Sequence, residues 1–163
     1  SKAHFEILLA TLEEAGFINY EFSNFGKPGY FSQNNTAYWL GKPYLGIGPS
    51  AHSFDGEHRS WNVNNNTKYI KTIQQGIVPA EVEELSLADR YNEYVMTRLR
   101  TQFGVNLAEI EELFGKPLAL YFEKESQVFF EKGLLKEENH KVLITKKGKF
   151  LSDGIAADLF YVD

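Results

Sequence analysis

Cysteine is absent from the 163 residues. That excludes disulfides, thiolate zinc sites and any cysteine-ligated cluster held by this chain itself. Long apolar runs are lacking too: none approaches the roughly 20 residues a membrane-spanning helix needs, and no signal-peptide pattern opens the chain. The expectation is a cytoplasmic protein without membrane insertion. Positive charge is short, with 17 Lys and Arg against 22 Asp and Glu and a formal net charge of −5. Such a balance gives no general attraction to nucleic acid or anionic lipid. An initiator Met is missing, and Ser1-Lys2-Ala3 leads straight into a helical pattern, which reads as a processed or engineered boundary.

What is present forms a core. Hydrophobic residues make up 43% and charged residues 24%, enough for one ordinary domain or two small ones and against disorder. Phe5, Leu8, Leu9 and Leu12 share one helical face, and Gly16 closes that helix. Phe17 to Phe22 reads as a strand, and Ser23 to Ser32, with Gly26, Pro28 and Gly29, as a loop. Thr36 to Leu40 makes a short helical turn, and Tyr44 to Gly48 a short buried-type strand. Asn66 starts a helix carrying Tyr69, Ile70 and Ile73, ended by Gly76 and Pro79. This order is the rhythm of α/β architecture, yet two strands make no core of their own. The half up to residue 80 therefore reads as the tail of something larger.

Composition shifts at about residue 80, where Ala80 to Leu85 reads as an acidic linker. Ser86 and Asp89 resemble a capping box before a helix that buries Tyr91, Val95 and Leu99. Asn106 and Glu109 start a second helix with Leu107, Ile110 and Phe114, stopped by Gly115 and Pro117. A third runs from about Leu118 to Lys132 and ends at Gly133. Leu134-Leu135 and Val142-Leu143-Ile144 then make a hairpin across Glu137 to Lys141. Thr145 caps a last helix with Leu151, Ile155 and Leu159. These are the elements of a winged-helix unit over residues 81–163, so the fold class expected for the whole is α+β. No internal repeat or low-complexity tract appears.

Three stretches stand out for chemistry. They are Tyr20-Glu21-Phe22-Ser23-Asn24-Phe25-Gly26-Lys27-Pro28-Gly29, then Asn34-Asn35-Thr36-Ala37-Tyr38-Trp39, then Tyr44-Leu45-Gly46-Ile47-Gly48-Pro49-Ser50-Ala51-His52-Ser53-Phe54. Alone, the third is a glycine-rich strand end whose small residues more often serve tight packing than a ligand. In this order, the three resemble the last barrel strands of the HemW/HemN family of radical S-adenosylmethionine (SAM) proteins. That family shows S-N-F-A-K-P-G, then H-N-x-x-Y-W, then Y-L-G-I-G-x-x-A-H-S.

The resemblance implies a C-terminal fragment. Residues 1–80 would be the last helices and strands of a radical SAM (β/α) partial barrel, and 81–163 a HemN C-terminal-type winged-helix-like domain. The parent would carry a [4Fe–4S] cluster on an upstream CxxxCxxC motif, with SAM on its open iron. Gly26 and His52 are the residues implied on the SAM side, and no catalytic or metal-ligating residue is expected in this chain. Truncation accounts for the missing cysteines, and the fragment alone would hold no cofactor and be inactive. The parent would act as an oxidoreductase on coproporphyrinogen III or as a heme chaperone serving apo-proteins. Tyr38 and Trp39 are candidate porphyrin contacts, although adjacent aromatics are more often core and anchor residues. Asn34 stands where the family motif has His, and an amide is a poor ligand for heme iron, which leaves His52 or His58 as alternatives.

His4 and His140 read as solvated, and chelation by His52 and His58 with Asp55 and Glu57 as the lesser reading. Lys146, Lys147 and Lys149 form a small basic face, most simply a solvated one. Two other function classes compete. A winged-helix DNA-binding regulator needs a basic recognition helix, whereas the third helix carries Glu123, Glu125 and Glu131 against Lys124 and Lys132. A non-catalytic interaction module over the C-terminal unit, shaping access to the barrel mouth, is the other.

Overall fold

The computed structural model describes residues 2–162. In chain order the elements begin with α1 (Lys2–Glu14), β1 (Ile18–Asn19), β2 (Phe25–Gly26), α2 (Gln33–Trp39), β3 (His52–Phe54), β4 (His58–Asn62), α3 (Asn66–Gln74) and β5 (Ala80–Glu84). They continue with α4 (Leu87–Leu99), α5 (Leu107–Phe114), α6 (Lys116–Glu131), β6 (Leu135–Glu138), β7 (Lys141–Ile144), a 3-10 turn at Lys149–Leu151 and α7 (Ser152–Asp158). The fold is mixed α+β. The chain divides into two compact units, one joining the described residues up to Thr36 with those from Leu87 onward, the other Ala37–Ser86.

The larger unit owes its core to helical periodicity. Tyr91, Val95 and Leu99 of α4 meet Ile110 of α5, Phe122 and Phe129 of α6, and Ile155 of α7, all buried. Asn106 caps α5, its side chain accepting from the backbone N–H of Ala108 at 2.9 Å and of Glu109 at 3.4 Å. The β6–β7 hairpin turns on Asn139 and His140, whose φ values of 53° and 61° suit the mirror-image turn that matches strand twist. Val105 and Val142 exchange backbone hydrogen bonds of 2.9 and 2.7 Å, tying the hairpin to the entry of α5. The tail is closed by Asn92, whose side chain donates to the Tyr161 carbonyl at 2.9 Å and accepts from its N–H at 2.7 Å.

The N-terminal elements pack within this same unit. Of the apolar face expected on α1, Leu9 is buried and Leu8 is exposed, while the Phe5 ring meets that of Phe150 edge-on at 5.2 Å. The strand expected over Phe17 to Phe22 is cut short to two residues. The Asn19 amide donates to the carbonyls of Glu21 and Asn24, turning the chain so that Phe25–Gly26 pairs back antiparallel. Near the C-terminus, Leu151 sits in the 3-10 turn and is exposed, so the buried stripe of α7 is Ile155 and Leu159 without it.

The smaller unit is an antiparallel sheet of order β3-β4-β5 with α3 beside it in sequence. Ala80 to Leu85 is no linker. Its first five residues pair with β4, from Asn62↔Ala80 to His58↔Glu84, and all five are exposed, which removes the alternation that marks a strand in sequence. Asn65, one residue earlier than expected, caps α3 by accepting from the Lys68 N–H at 2.8 Å.

Candidate functional site

The glycine-rich stretch belongs to the smaller unit, and side chains fix it rather than a strand ladder. Only Tyr44 pairs in strand fashion, exchanging backbone hydrogen bonds of 2.8 and 2.9 Å with Phe54. Beyond it, the Gly46 N–H donates to Ser53 Oγ at 3.0 Å and the Gly48 N–H to the Tyr69 hydroxyl at 3.2 Å. The amide of buried Asn62 donates to the carbonyls of Gly46 at 3.3 Å and Gly48 at 2.9 Å. These bonds satisfy backbone groups that a strand would have paired, and this is why the expected strand over Tyr44 to Gly48 is a cradled turn. Gly46 is required: a Cβ there would lie 2.1 Å from the His52 carbonyl oxygen.

Beside this turn is an open cleft of about 380 Å³, lined by Tyr44, Leu45, Phe54 and Val82 together with Ser53, Ser60, Asp55 and His58. The Tyr38 ring packs on Tyr44 with centroids 4.5 Å apart, and Tyr44 lies 6.2 Å from Phe54, so the three rings form a cluster on the sheet face opposite Ser53, Ser60 and Val82. Tyr38 remains exposed; Trp39 is half-buried. At the polar end, His58 Nδ1 lies 3.1 Å from Asp55 Oδ2. Asp55 Oδ1 accepts from the N–H groups of His58 at 2.7 Å and Glu57 at 2.9 Å. These backbone donors, with His58 foremost, hold the Asp55 carboxyl below the usual carboxylate range.

His52 is exposed and stands on β3 opposite Trp61, ring centroids 6.2 Å apart. Strand alternation puts it on the face opposite Ser53, away from the residue that holds Gly46. Gly26 lies in the larger unit and is buried. A Cβ on it would come 2.9 Å from Phe31 Cδ1 and 3.2 Å from the Tyr30 carbonyl, with Tyr20 stacked 4.7 Å from Phe31. The molecule's own rings thus fill the space the missing side chain leaves. Asn34 is exposed on α2. The chain has no thiolate to offer an iron–sulfur cluster, and among the described residues no three His, Asp or Glu side chains gather to hold a metal ion. Nor is any helix among them long and apolar enough to cross a membrane. The roles of Ser53 and Tyr69 were not legible in sequence, since a serine in a strand and a tyrosine on an apolar helix face carry no motif.

Residues 85–151 match the HemN C-terminal domain. Over 93% of its length the chain is 31% identical to the heme chaperone HemW of Bacillus subtilis (strain 168), covering 40% of that protein. Over 95% it is 30% identical to the heme chaperone HemW of Mycobacterium tuberculosis, covering 38%. The chain is also 36% identical, over 64% of its length, to 28% of the mitochondrial radical S-adenosyl methionine domain-containing protein 1 of Danio rerio. It therefore spans about two fifths or less of these relatives. Coproporphyrinogen III oxidase (HemN) from Escherichia coli, a radical SAM enzyme, shares the fold, with a TM-score of 0.69 and 19% identity over 96% of this chain and 40% of that one. Joined to the three motifs and the C-terminal domain, these likenesses show that the chain belongs to the HemW/HemN-like radical SAM family.

Proposed function

We propose that this chain is the C-terminal part of a radical SAM protein of porphyrin and heme metabolism, on the heme-chaperone side of the family, and that its own contribution is to bind a tetrapyrrole. The observation that carries the reading is the cluster of the Tyr38, Tyr44 and Phe54 rings beside the cradled glycine turn, with Tyr38 exposed. Flat apolar ligands stack on such rings. In the relatives named as heme chaperones the likeness runs through nearly all of this chain.

On this reading residues 1–80 end the radical SAM barrel, and exposed Leu45 and Ile47 fit a unit meant to be covered by the rest of it. Residues 81–163 form a winged-helix-like module that shapes access for the tetrapyrrole and for heme-accepting apo-proteins. The [4Fe–4S] cluster and SAM supply the radical chemistry of the parent, and cysteines outside this chain hold the cluster. By the family resemblance Gly26 and His52 are the SAM-side residues of the parent, and this chain alone is catalytically silent. The test is a hemin titration of the chain followed by Soret absorbance. A saturable one-to-one change is expected, weakened roughly 2- to 10-fold in Tyr38→Ala by loss of an aromatic contact. A change that grows linearly with added hemin, without saturation, overturns the tetrapyrrole reading.

A further inference from the structure

The larger unit holds another cavity, of about 190 Å³, at the joint where the N-terminal segment meets the C-terminal elements. At this joint the Gln102 N–H donates to the Tyr20 carbonyl at 3.0 Å, Glu21 bridges in strand fashion to Thr101, and Lys146 pairs with Glu13 at 2.7 Å. Phe22 and Leu143 give the cavity apolar surface. Three cations, Arg100, Lys136 and Lys149, line it against one carboxylate, that of Glu21, in a chain whose formal net charge is −5.

The protein meets these positive charges only in part. Lys149 is half-buried, and its ammonium donates to the side-chain oxygen of Asn19, a neutral acceptor. Burial foremost lowers its pKa, with Glu13 acting against the shift and Lys146 adding to it. The Arg100 guanidinium lies 5.5 Å from the centre of the Phe22 ring and reaches Asp153 Oδ1 from Nη2 at 3.0 Å. Asp153 is 72% exposed, where water and salt weaken a pair. Arg100 Nε is buried without a hydrogen-bond partner. Lys136 pairs with exposed Glu138 and stands across the hairpin from Leu143, so the two share a face. Glu21 is buried, and its carboxylate accepts from the Asn24 amide.

We propose that this cavity binds a short-chain organic acid, its carboxylate accepting from Arg100 and Lys149 and its apolar body lying against Phe22 and Leu143. A guanidinium offers a carboxylate parallel donors, and a partly desolvated ammonium gains from an anion what a neutral amide cannot give it. The apolar surface selects against inorganic phosphate, which would shed water onto side chains that return no hydrogen bond. Phe22 comes from the N-terminal segment, Arg100 from the end of α4 and Lys149 from the 3-10 turn, so the bound acid also ties the joint together. The site lies in the larger unit and stands independently of the tetrapyrrole reading.

The experiment titrates butyrate, butyramide and inorganic phosphate into the isotope-labelled full chain at fixed pH and ionic strength. Amide resonances of Thr101 and Gln102, which line the cavity, report binding. Butyrate should shift them saturably and raise the thermal midpoint of the chain. Butyramide, of the same shape without the charge, should bind about 10-fold or more weakly, and phosphate likewise. Lys149→Met should weaken butyrate about 10-fold, and Lys149→Arg should keep most of the affinity. Lys147→Met removes the same charge from an exposed lysine outside the cavity and should leave the affinity unchanged. An equal loss in Lys147→Met and Lys149→Met reports only the field of a basic surface and overturns the assignment. Butyramide or phosphate binding as tightly as butyrate, or shifts that grow linearly without saturation, overturns it as well. The comparison of butyrate with butyramide uses the unaltered chain, so it decides even where Lys149→Met fails to fold.

Discussion

Replacing Gly46 by alanine tests whether the glycine turn is held by geometry rather than by sequence habit. The added Cβ would sit 2.1 Å from the carbonyl oxygen of His52, 2.7 Å from its carbon and 2.8 Å from its nitrogen. Carbon contacts settle near 3.5 Å, so the turn and β3 must part by more than about 1 Å. That movement stretches the bonds from the Gly46 N–H to Ser53 and from Asn62 to Gly46 and Gly48. Three hydrogen bonds at about 1 kcal/mol each give a cost of about 3 kcal/mol. Gly41 is the control, because its φ of +65° strains any side chain but nothing lies within 4 Å of a Cβ there. Gly41→Ala should cost about 1 kcal/mol. Both tryptophans, Trp39 and Trp61, lie in the smaller unit, so tryptophan emission during urea unfolding reports on it. The midpoint shift of Gly46→Ala should be two to three times that of Gly41→Ala with an unchanged slope, by these estimates. A shift no larger than the control's would refute the reasoning.

Alkaline stability should expose the buried phenols of the larger unit. Burial foremost raises both Tyr91 and Tyr94 above the ordinary value of 10.0. The unfolded chain ionises first, so their stabilisation is full below that value and is lost as pH climbs from it toward the folded pKa. Each contributes up to about 1.4 kcal/mol per pH unit of decline. The double variant Tyr91→Phe with Tyr94→Phe should flatten urea midpoints measured between roughly pH 9 and 11, and an equally steep decline would count against the burial argument. Asn106→Ala should lower the thermal midpoint by removing the α5 cap, at a cost of about 1 kcal/mol. Asn106→Asp, which keeps the acceptor, should retain most of the stability.

The larger unit was readable because its elements announce themselves. Tyr91, Val95 and Leu99 recur at helical spacing, Asn106 is a capping residue in the right place, and Gly133 stands where the chain must leave a helix. The smaller unit was harder for a physical reason. His52–Phe54 and His58–Asn62 are strands without an apolar–polar alternation, held by register with each other and with β5. Ala80–Glu84 buries nothing and so resembles a linker. Tyr44 to Gly48 looked like a strand because its residues are apolar, yet side chains from β3, β4 and α3 take its backbone bonds. The family motifs pointed to Gly26, Tyr38, Trp39 and His52. They gave no sign of the pairing of His58 with Asp55, which depends on how a three-residue separation folds at the β3–β4 turn.

The strand that resembles a linker has a consequence of its own. β5 closes one edge of its sheet, where unpaired backbone groups would otherwise template the addition of a strand from another molecule. Glu81, Glu83 and Glu84 cover three of its five positions with carboxylates, so a second copy arriving in register would bring like charges face to face. Resistance to edge-to-edge self-association therefore rests on side chains that add nothing to the core of the unit they protect.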